Sequence, residues 1–193
     1  MFFSTSAVGY YGFSGDEELF EPSPPGDDFL ALLARDWEEE ALRAKTMASR
    51  VVITRFGIVL GRNGGSLDKM IPIFRAFIGG PLGNGRQWMS WIHVKDLVEA
   101  FLFLMDCSEV SGTVNFTTPY QVRNRDFSIA LGRAMHRPSI IPVPGFAVRL
   151  LLGELGSTLL KGQRVIPGVL LDHNFQFCYP TIDLAFQDLI TPH

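Results

Sequence analysis

The stretch from Arg50 to Leu60 constrains the fold more than any other. Val51, Val52, Ile53, Ile58 and Val59 leave it almost no polar face. A strand with one wet face alternates apolar and polar residues. A nearly continuous apolar run is instead buried on both sides, as in a parallel sheet covered by helices. A second such run, Phe2-Phe3-Ser4-Thr5-Ser6-Ala7-Val8, leads into the turn Gly9-Tyr10-Tyr11-Gly12 and reads as another buried strand. Between them, Phe29, Leu30, Leu33, Trp37, Ala41 and Leu42 recur at helical spacing after Asp27 and Asp28, with charge on the opposite side, which predicts a helix over 28–45. Strand, helix and strand in this order predict neighbouring parallel strands whose C-terminal ends open on one cleft. The first strand has no hairpin partner nearby, so its other neighbour is expected from upstream of this chain.

The remaining pattern continues the alternation. Residues 13–27 form an acidic, proline-rich loop. Gly61 to Gly65 breaks the second strand, and Ser66 caps a helix through Phe77 that bends at Pro72. After the loop Gly79–Gly85 come a strand over Trp91–Val94, an apolar helix over Lys95–Met105, a strand over Thr113–Phe116 and a helix over Asn124–His136 begun by an Asn cap. From Pro138 the character changes to short Leu-rich helices over Gly145–Gly162, then Val165-Ile166-Pro167, a strand-like Phe175-Gln176-Phe177 and a helix over 181–190. The expected architecture is α/β, an incomplete Rossmann-like, doubly wound parallel sheet over 1–139 with a small α/β C-terminal unit over 140–193.

Composition removes several function classes. With 47% hydrophobic and 19% charged residues the chain can bury a real core. A net charge of −3 offers no basic field for a nucleic-acid backbone. Cys107 and Cys178 lack ligand spacing and read as two thiols rather than a disulfide. His93 reads as a buried, hydrogen-bonded residue, and His136, His173 and His193 show no metal pattern. No apolar run approaches the ~18–20 residues that span a bilayer, so the expected setting is soluble and cytoplasmic, without a membrane partner.

Three segments in order resemble the extended short-chain dehydrogenase/reductases, the NAD(P)-dependent epimerase/dehydratase type. Ser4-Thr5-Ser6-Ala7-Val8-Gly9-Tyr10-Tyr11-Gly12 is similar to the strand end that supplies their active-site serine. Arg55-Phe56-Gly57-Ile58-Val59-Leu60-Gly61 resembles the later strand that faces the nicotinamide. Trp91-Ile92-His93-Val94-Lys95-Asp96-Leu97 resembles the strand-to-helix junction of the substrate region. Asp36-Trp37-Glu38, Gly79-Gly80-Pro81 and Gly162-Gln163-Arg164-Val165-Ile166-Pro167 narrow the resemblance to the "epimerase family" proteins, often labelled nucleoside-diphosphate-sugar epimerases, which end in a small domain of unknown function.

The resemblance implies roles for particular residues. Ser6 stands where family members hold the substrate oxygen, although a strand-end hydroxyl also serves simply to satisfy backbone. Thr5, Phe56 and Gly57 stand beside the nicotinamide. Ile58, Arg86, Gln87 and Met89 stand at substrate positions, and Tyr10 or Tyr11 is a candidate acid/base. The family's Tyr-x-x-x-Lys pair would project from the 28–45 helix, where this chain has Leu30 and Ala34. Sugar-nucleotide enzymes place asparagine at the position of Ile58 and a diphosphate-gripping arginine at that of Met89, so a smaller or more apolar carbonyl or sugar-like substrate is expected. Family members also carry a strand and Gly-x-x-Gly-x-x-Gly loop well before the serine strand, and no such loop precedes it here. Because that loop holds the cofactor pyrophosphate, NADP or NAD binding by this chain alone is expected to be weak or absent. Two readings follow: an NAD(P)-dependent epimerase or reductase, or a non-catalytic dinucleotide-sensing or protein-binding module, as relatives with cell-division labels suggest.

Overall fold

The computed structural model describes residues 1–47, 50–62, 64–139, 141–146 and 160–190. Its centre is a parallel sheet in the order β1 (Phe2–Ala7), β3 (Val51–Phe56), β7 (Gly112–Phe116). The expected parallel neighbours are therefore adjacent, with Ser6 opposite Arg55 and Ala7 opposite Phe56. Helix α1 (Phe29–Leu42), begun by Asp28 whose carboxylate accepts the Leu30 and Ala31 amides, covers one face. On the other face lies α3 (Val94–Asp106), with Ala100 and Leu104 packed on Val52, Val114 and Phe116. Burying side chains of this size stabilises by about 1.5–3 kcal/mol each. β1 differs from expectation, since Ser4 is its only fully buried residue and its outer edge is unpaired among the described residues.

The second predicted strand is two strands. At Gly57 the chain leaves β7 and continues as β4 (Ile58–Leu60), which pairs in parallel with β6 (Trp91–His93). The Gly57 amide donates to Phe116 O and the Ile58 amide to Ser90 O. A Cβ at Gly57 would lie 2.6 Å from Ser90 O, so the switch of partners depends on a residue without one. Below this pair, α2 (Gly65–Arg75, containing Pro72), α4 (Asn124–Ala134) and the terminal helix, Ile182–Ile190, enclose a second core of Leu60, Leu67, Phe74, Trp91, Phe127 and Phe186.

Short ladders tie the loops down. β2 (Glu18–Leu19) pairs with β9 (Arg164–Val165), and β5 (Trp88–Met89) pairs antiparallel with β8 (Val122–Arg123). A short helix, α5 (Gly168–Asp172), adds Leu170 to the core beneath α3. The terminal helix is α6. Two local expectations differ, and a third is not tested. Asn124 lies inside α4 and accepts the Leu82 amide, while Arg123 occupies the cap position without a side-chain bond. Phe175 and Phe177 meet edge to face at 4.8 Å and form no strand. The Leu-rich helices expected over Gly145–Gly162 fall largely on 147–159, outside the described residues.

Beyond 164 the chain is built into the same cores. Buried Asp96 accepts the Cys178 and Tyr179 amides at 2.7 and 2.9 Å. Tyr179 stacks on His93 at 3.9 Å, and Phe186 meets Phe127 at 5.0 Å. His93 Nδ1 accepts the Lys95 amide, which leaves Nε2 to carry the hydrogen toward Asp188 at 3.3 Å. Burial holds the His93 pKa below its ordinary value against the pull of Asp188 and Asp96.

Candidate active site

Parallel strands present their C-terminal ends to one rim, where α/β folds bind ligands. On that rim Ser6 Oγ donates to Glu38 Oε1 at 2.6 Å. Glu38 comes from α1 and is gripped in fork geometry by Arg55 of β3, with Nε on Oε1 at 2.8 Å and Nη2 on Oε2 at 2.7 Å. Both partners are almost sealed from solvent, their side chains 3% (Arg55) and 6% (Glu38) exposed. The serine hydrogen is thus committed to a buried carboxylate that a guanidinium orients. What Ser6 turns outward is acceptor capacity.

The same guanidinium organises both tyrosines. Its carbon lies 3.4 Å from the Tyr10 ring centroid, and Nη1 donates to Tyr11 Oη at 2.8 Å. Tyr11 Oη donates in turn to Asn115 Oδ1 at 2.7 Å, and Asn115 Nδ2 reaches Ile166 O. Burial pushes the Tyr11 pKa up to about 12, with Arg55 opposing it. Tyr11 is therefore a structural phenol, locked between two partners and unsuited to proton transfer near neutrality. Tyr10, half-buried under Arg55, is the tyrosine left for chemistry. Although burial disfavours its charge, the Glu38 carboxylate and Tyr11 hold Arg55 above its ordinary value.

The amphipathic reading of α1 is corrected here. The apolar line Phe29, Leu33 and Trp37 is 76%, 53% and 60% exposed, while Ala31 and Glu38 are buried. The face that meets the sheet is Ala31, Ala34, Glu38 and Ala41, small residues that let the helix approach closely with one carboxylate among them. Leu30 is exposed and Ala34 half-buried, so neither family acid/base position carries an ionisable group. Trp37 still touches the sheet through Nε1, which donates to Ser4 Oγ at 3.3 Å.

The other expected site residues divide into two sets. Thr5 is exposed at the end of β1. Phe56 stacks on Phe116 at 5.4 Å and meets Phe101 edge to face, so its ring serves the core under α3. Gly57 packs on Ser90, and Ile58 and Met89 belong to the second core, where Met89 Sδ accepts from Asn124. Arg86 and Gln87 instead line an open cavity of about 750 Å³ with Phe13, Asp16, Arg123, Arg125 and Lys161. Among the described residues no His, Cys, Asp and Glu group could hold a metal, and no helix is long and apolar enough to cross a membrane.

Gly9, Gly12 and Gly15 do show Gly-x-x-Gly-x-x-Gly spacing directly after β1. The local structure is not a phosphate loop. Val8–Tyr11 form a 3-10 turn, Gly12 (φ +61°) packs against Gly26, and the next α-helix begins only at Phe29. No helix N-terminus stands over these glycines to receive an anion.

The NAD dependent epimerase/dehydratase family matches residues 1–116, and a domain of unknown function, DUF1731, matches residues 143–189. The epimerase family protein SDR39U1 homolog, chloroplastic, of Arabidopsis thaliana is 43% identical over 187 residues, covering 97% of this chain and 54% of its own length. An epimerase family protein of Mycobacterium leprae is 44% identical over 185 residues, with 95% and 60% covered. The crystal structure of human epimerase family protein SDR39U1 (isoform 2) with NADPH superposes with a TM-score of 0.90 at 33% identity, over 97% of this chain and 64% of that one. The UDP-glucose 4-epimerase of Thermus thermophilus shares the fold at a TM-score of 0.68 and 17% identity, over 95% and 62%. The chain spans little more than half the length of the Arabidopsis relative and 60% of the mycobacterial one.

Proposed function

The chain belongs to the NAD dependent epimerase/dehydratase family, and on that premise we propose that it serves NAD(P)-dependent epimerase- or reductase-type chemistry on a small carbonyl or sugar-like substrate at the rim of β1 and β3. The observation that carries this reading is the buried Glu38–Arg55 pair, which fixes Ser6 on one side and Tyr10 on the other. The human relative is described with NADPH, so NADP or NAD is the cofactor proposed for this chain. Thr5 is exposed and Ser6 half-buried near the C-terminal end of β1, where the nicotinamide end of such a cofactor would lie. When bound, the nicotinamide supplies or accepts a hydride.

The chain's own residues do the rest. Ser6 Oγ, its hydrogen directed to Glu38, accepts the hydrogen of a substrate hydroxyl and so positions that oxygen. Tyr10 Oη exchanges the proton with the reacting carbonyl oxygen beside that hydroxyl, since Tyr11 is locked and positions 30 and 34 carry none to give. Met89 turns into the core, which leaves no cation there to grip a diphosphate and favours a substrate smaller than a sugar nucleotide. Among the described residues no strand–turn–helix phosphate loop accompanies the rim, so this chain by itself is proposed to hold NADPH weakly.

One observation favours a second reading, a non-catalytic dinucleotide-sensing or protein-binding module: the Tyr-x-x-x-Lys positions are Leu30 and Ala34. NADPH oxidation at millimolar cofactor, against a panel of small aldehydes, ketones and sugars, separates the two. Wild type turns over at least one of them, and Ser6→Ala and Tyr10→Phe each lower the rate by about 10²–10⁴-fold. Equal turnover in wild type and both variants refutes the site. An NADPH-binding wild type without turnover favours the module.

A further inference from the structure

The cavity lined by Arg86 and Gln87 has a charge that the chain as a whole does not. Among its lining residues Arg86, Arg123, Arg125 and Lys161 face only Asp16 and Asp126, a surplus of two positive charges in a chain whose net charge is −3. Asp16 is already taken. It pairs with Arg123 at 2.6 Å and accepts from Trp88 Nε1 at 3.0 Å, and these bonds hold its carboxyl below the ordinary range. Arg123 is likewise fixed, stacked on the Trp88 ring at 3.9 Å. Arg86, Arg125 and Lys161 have no carboxylate partner among the described residues, and Lys161 only overlies the Phe13 ring at 4.9 Å.

These three cations are brought together by backbone, not by chance on a surface. The Arg125 amide donates to Gly85 O at 2.9 Å and the Asn124 amide to Gln87 O at 2.9 Å, which sets Arg125 beside Arg86. The Leu82 amide donates to Asn124 Oδ1 at 2.7 Å and closes the loop that carries Arg86. Gly162 packs so tightly on Trp88 that a Cβ would meet Trp88 O at 2.0 Å, which places Lys161 on the opposite wall. Like charges collected on a stiff frame cost stability through self-repulsion unless an anion relieves it. The cavity's volume of about 750 Å³ lies within the ~300–1,000 Å³ of small-molecule sites.

We propose that this cavity is a phosphate-monoester site, in which Arg86, Arg125 and Lys161 bind the phosphate of the substrate whose carbonyl end reaches the Ser6 rim. The assignment of a substrate rests on the function proposed above, whereas the phosphate site does not. A phosphate monoester carries about −1.5 to −2 at neutral pH, matching the surplus, and two guanidiniums offer it paired N–H donors. A carboxylate matches neither the charge nor the number of acceptors.

The test is calorimetric titration of the cofactor-free chain at low ionic strength with inorganic phosphate, and separately with acetate. The wild type binds phosphate saturably and more tightly than acetate. Arg86→Gln/Arg125→Gln and, independently, Lys161→Gln each weaken phosphate by about tenfold or more, the scale of a charge-assisted bond. Arg75→Gln on α2, away from the cavity, leaves binding unchanged, and circular dichroism shows each variant folded. Absence of saturable binding, acetate binding as tight as phosphate, or undiminished binding in the variants overturns the proposal. Because no cofactor is present, these outcomes are independent of whether Ser6 and Tyr10 support turnover.

Discussion

Replacing Glu38 with glutamine keeps the shape of the side chain and removes its charge. Arg55 is then left 3% exposed with a neutral partner, and Ser6 loses its anionic acceptor. Removing one member of a buried pair costs about 3–5 kcal/mol, because the other charge stays buried without compensation. At about 2–4 °C per kcal/mol for a chain of this size, Tm should fall by roughly 6–20 °C. Urea unfolding followed by circular dichroism measures the change. The double variant Glu38→Leu/Arg55→Met leaves no orphan charge and should recover at least half of the loss, since apolar replacement of such pairs is often close to neutral. If Glu38→Gln costs less than about 1 kcal/mol, the pair behaves like an exposed one and the reasoning fails. If the double variant is as unstable as the sum of the singles, the two residues are not coupled.

Three further outcomes are expected. Burial lowers the His93 pKa in the folded protein, so the unfolded chain binds more protons as pH falls through about 6.5. The stability His93 contributes is therefore present above that pH and lost below it; urea midpoints at pH 7.5 and 5.5 should diverge in wild type and converge in His93→Gln, and an equal drop in both would refute the assignment. Gly57→Ala places a Cβ 2.6 Å from Ser90 O and should cost about 1–3 kcal/mol in urea unfolding by overpacking the strand switch; a neutral effect would show that the backbone there yields. Titration of NADPH into the 193-residue chain should give a Kd well above about 1 µM, because no strand–turn–helix loop among the described residues presents amides to a pyrophosphate; micromolar or tighter binding would refute this.

The elements whose identity depends on local pattern were legible in the amino-acid order alone. The apolar run at 51–60, the serine strand and the intervening helical spacing predict parallel neighbours, and Ser6 does face Arg55 across one ladder step. Family-like motifs at 4–12, 55–61 and 91–97 point to the NAD(P)-dependent epimerase type, which the match over residues 1–116 bears out. Burial of His93 was legible as well, because a histidine inside an apolar strand has nowhere else to go.

Tertiary structure decided which face each element turns inward. Phe29, Leu33 and Trp37 form the more hydrophobic stripe of α1, yet the stripe of Ala31, Ala34, Glu38 and Ala41 meets the sheet. Helix periodicity measures how hydrophobicity is arranged around an axis; it carries nothing about a guanidinium seventeen residues away that can neutralise a carboxylate. The break at Gly57 was hidden for a related reason, since it exists only because Ser90 O, between β5 and β6, approaches from more than thirty residues downstream. The cationic cavity is assembled from four segments far apart in the sequence. Local order set the menu of strands and helices, while long-range charge pairing and steric approach chose the arrangement, because those energies depend on distances through space.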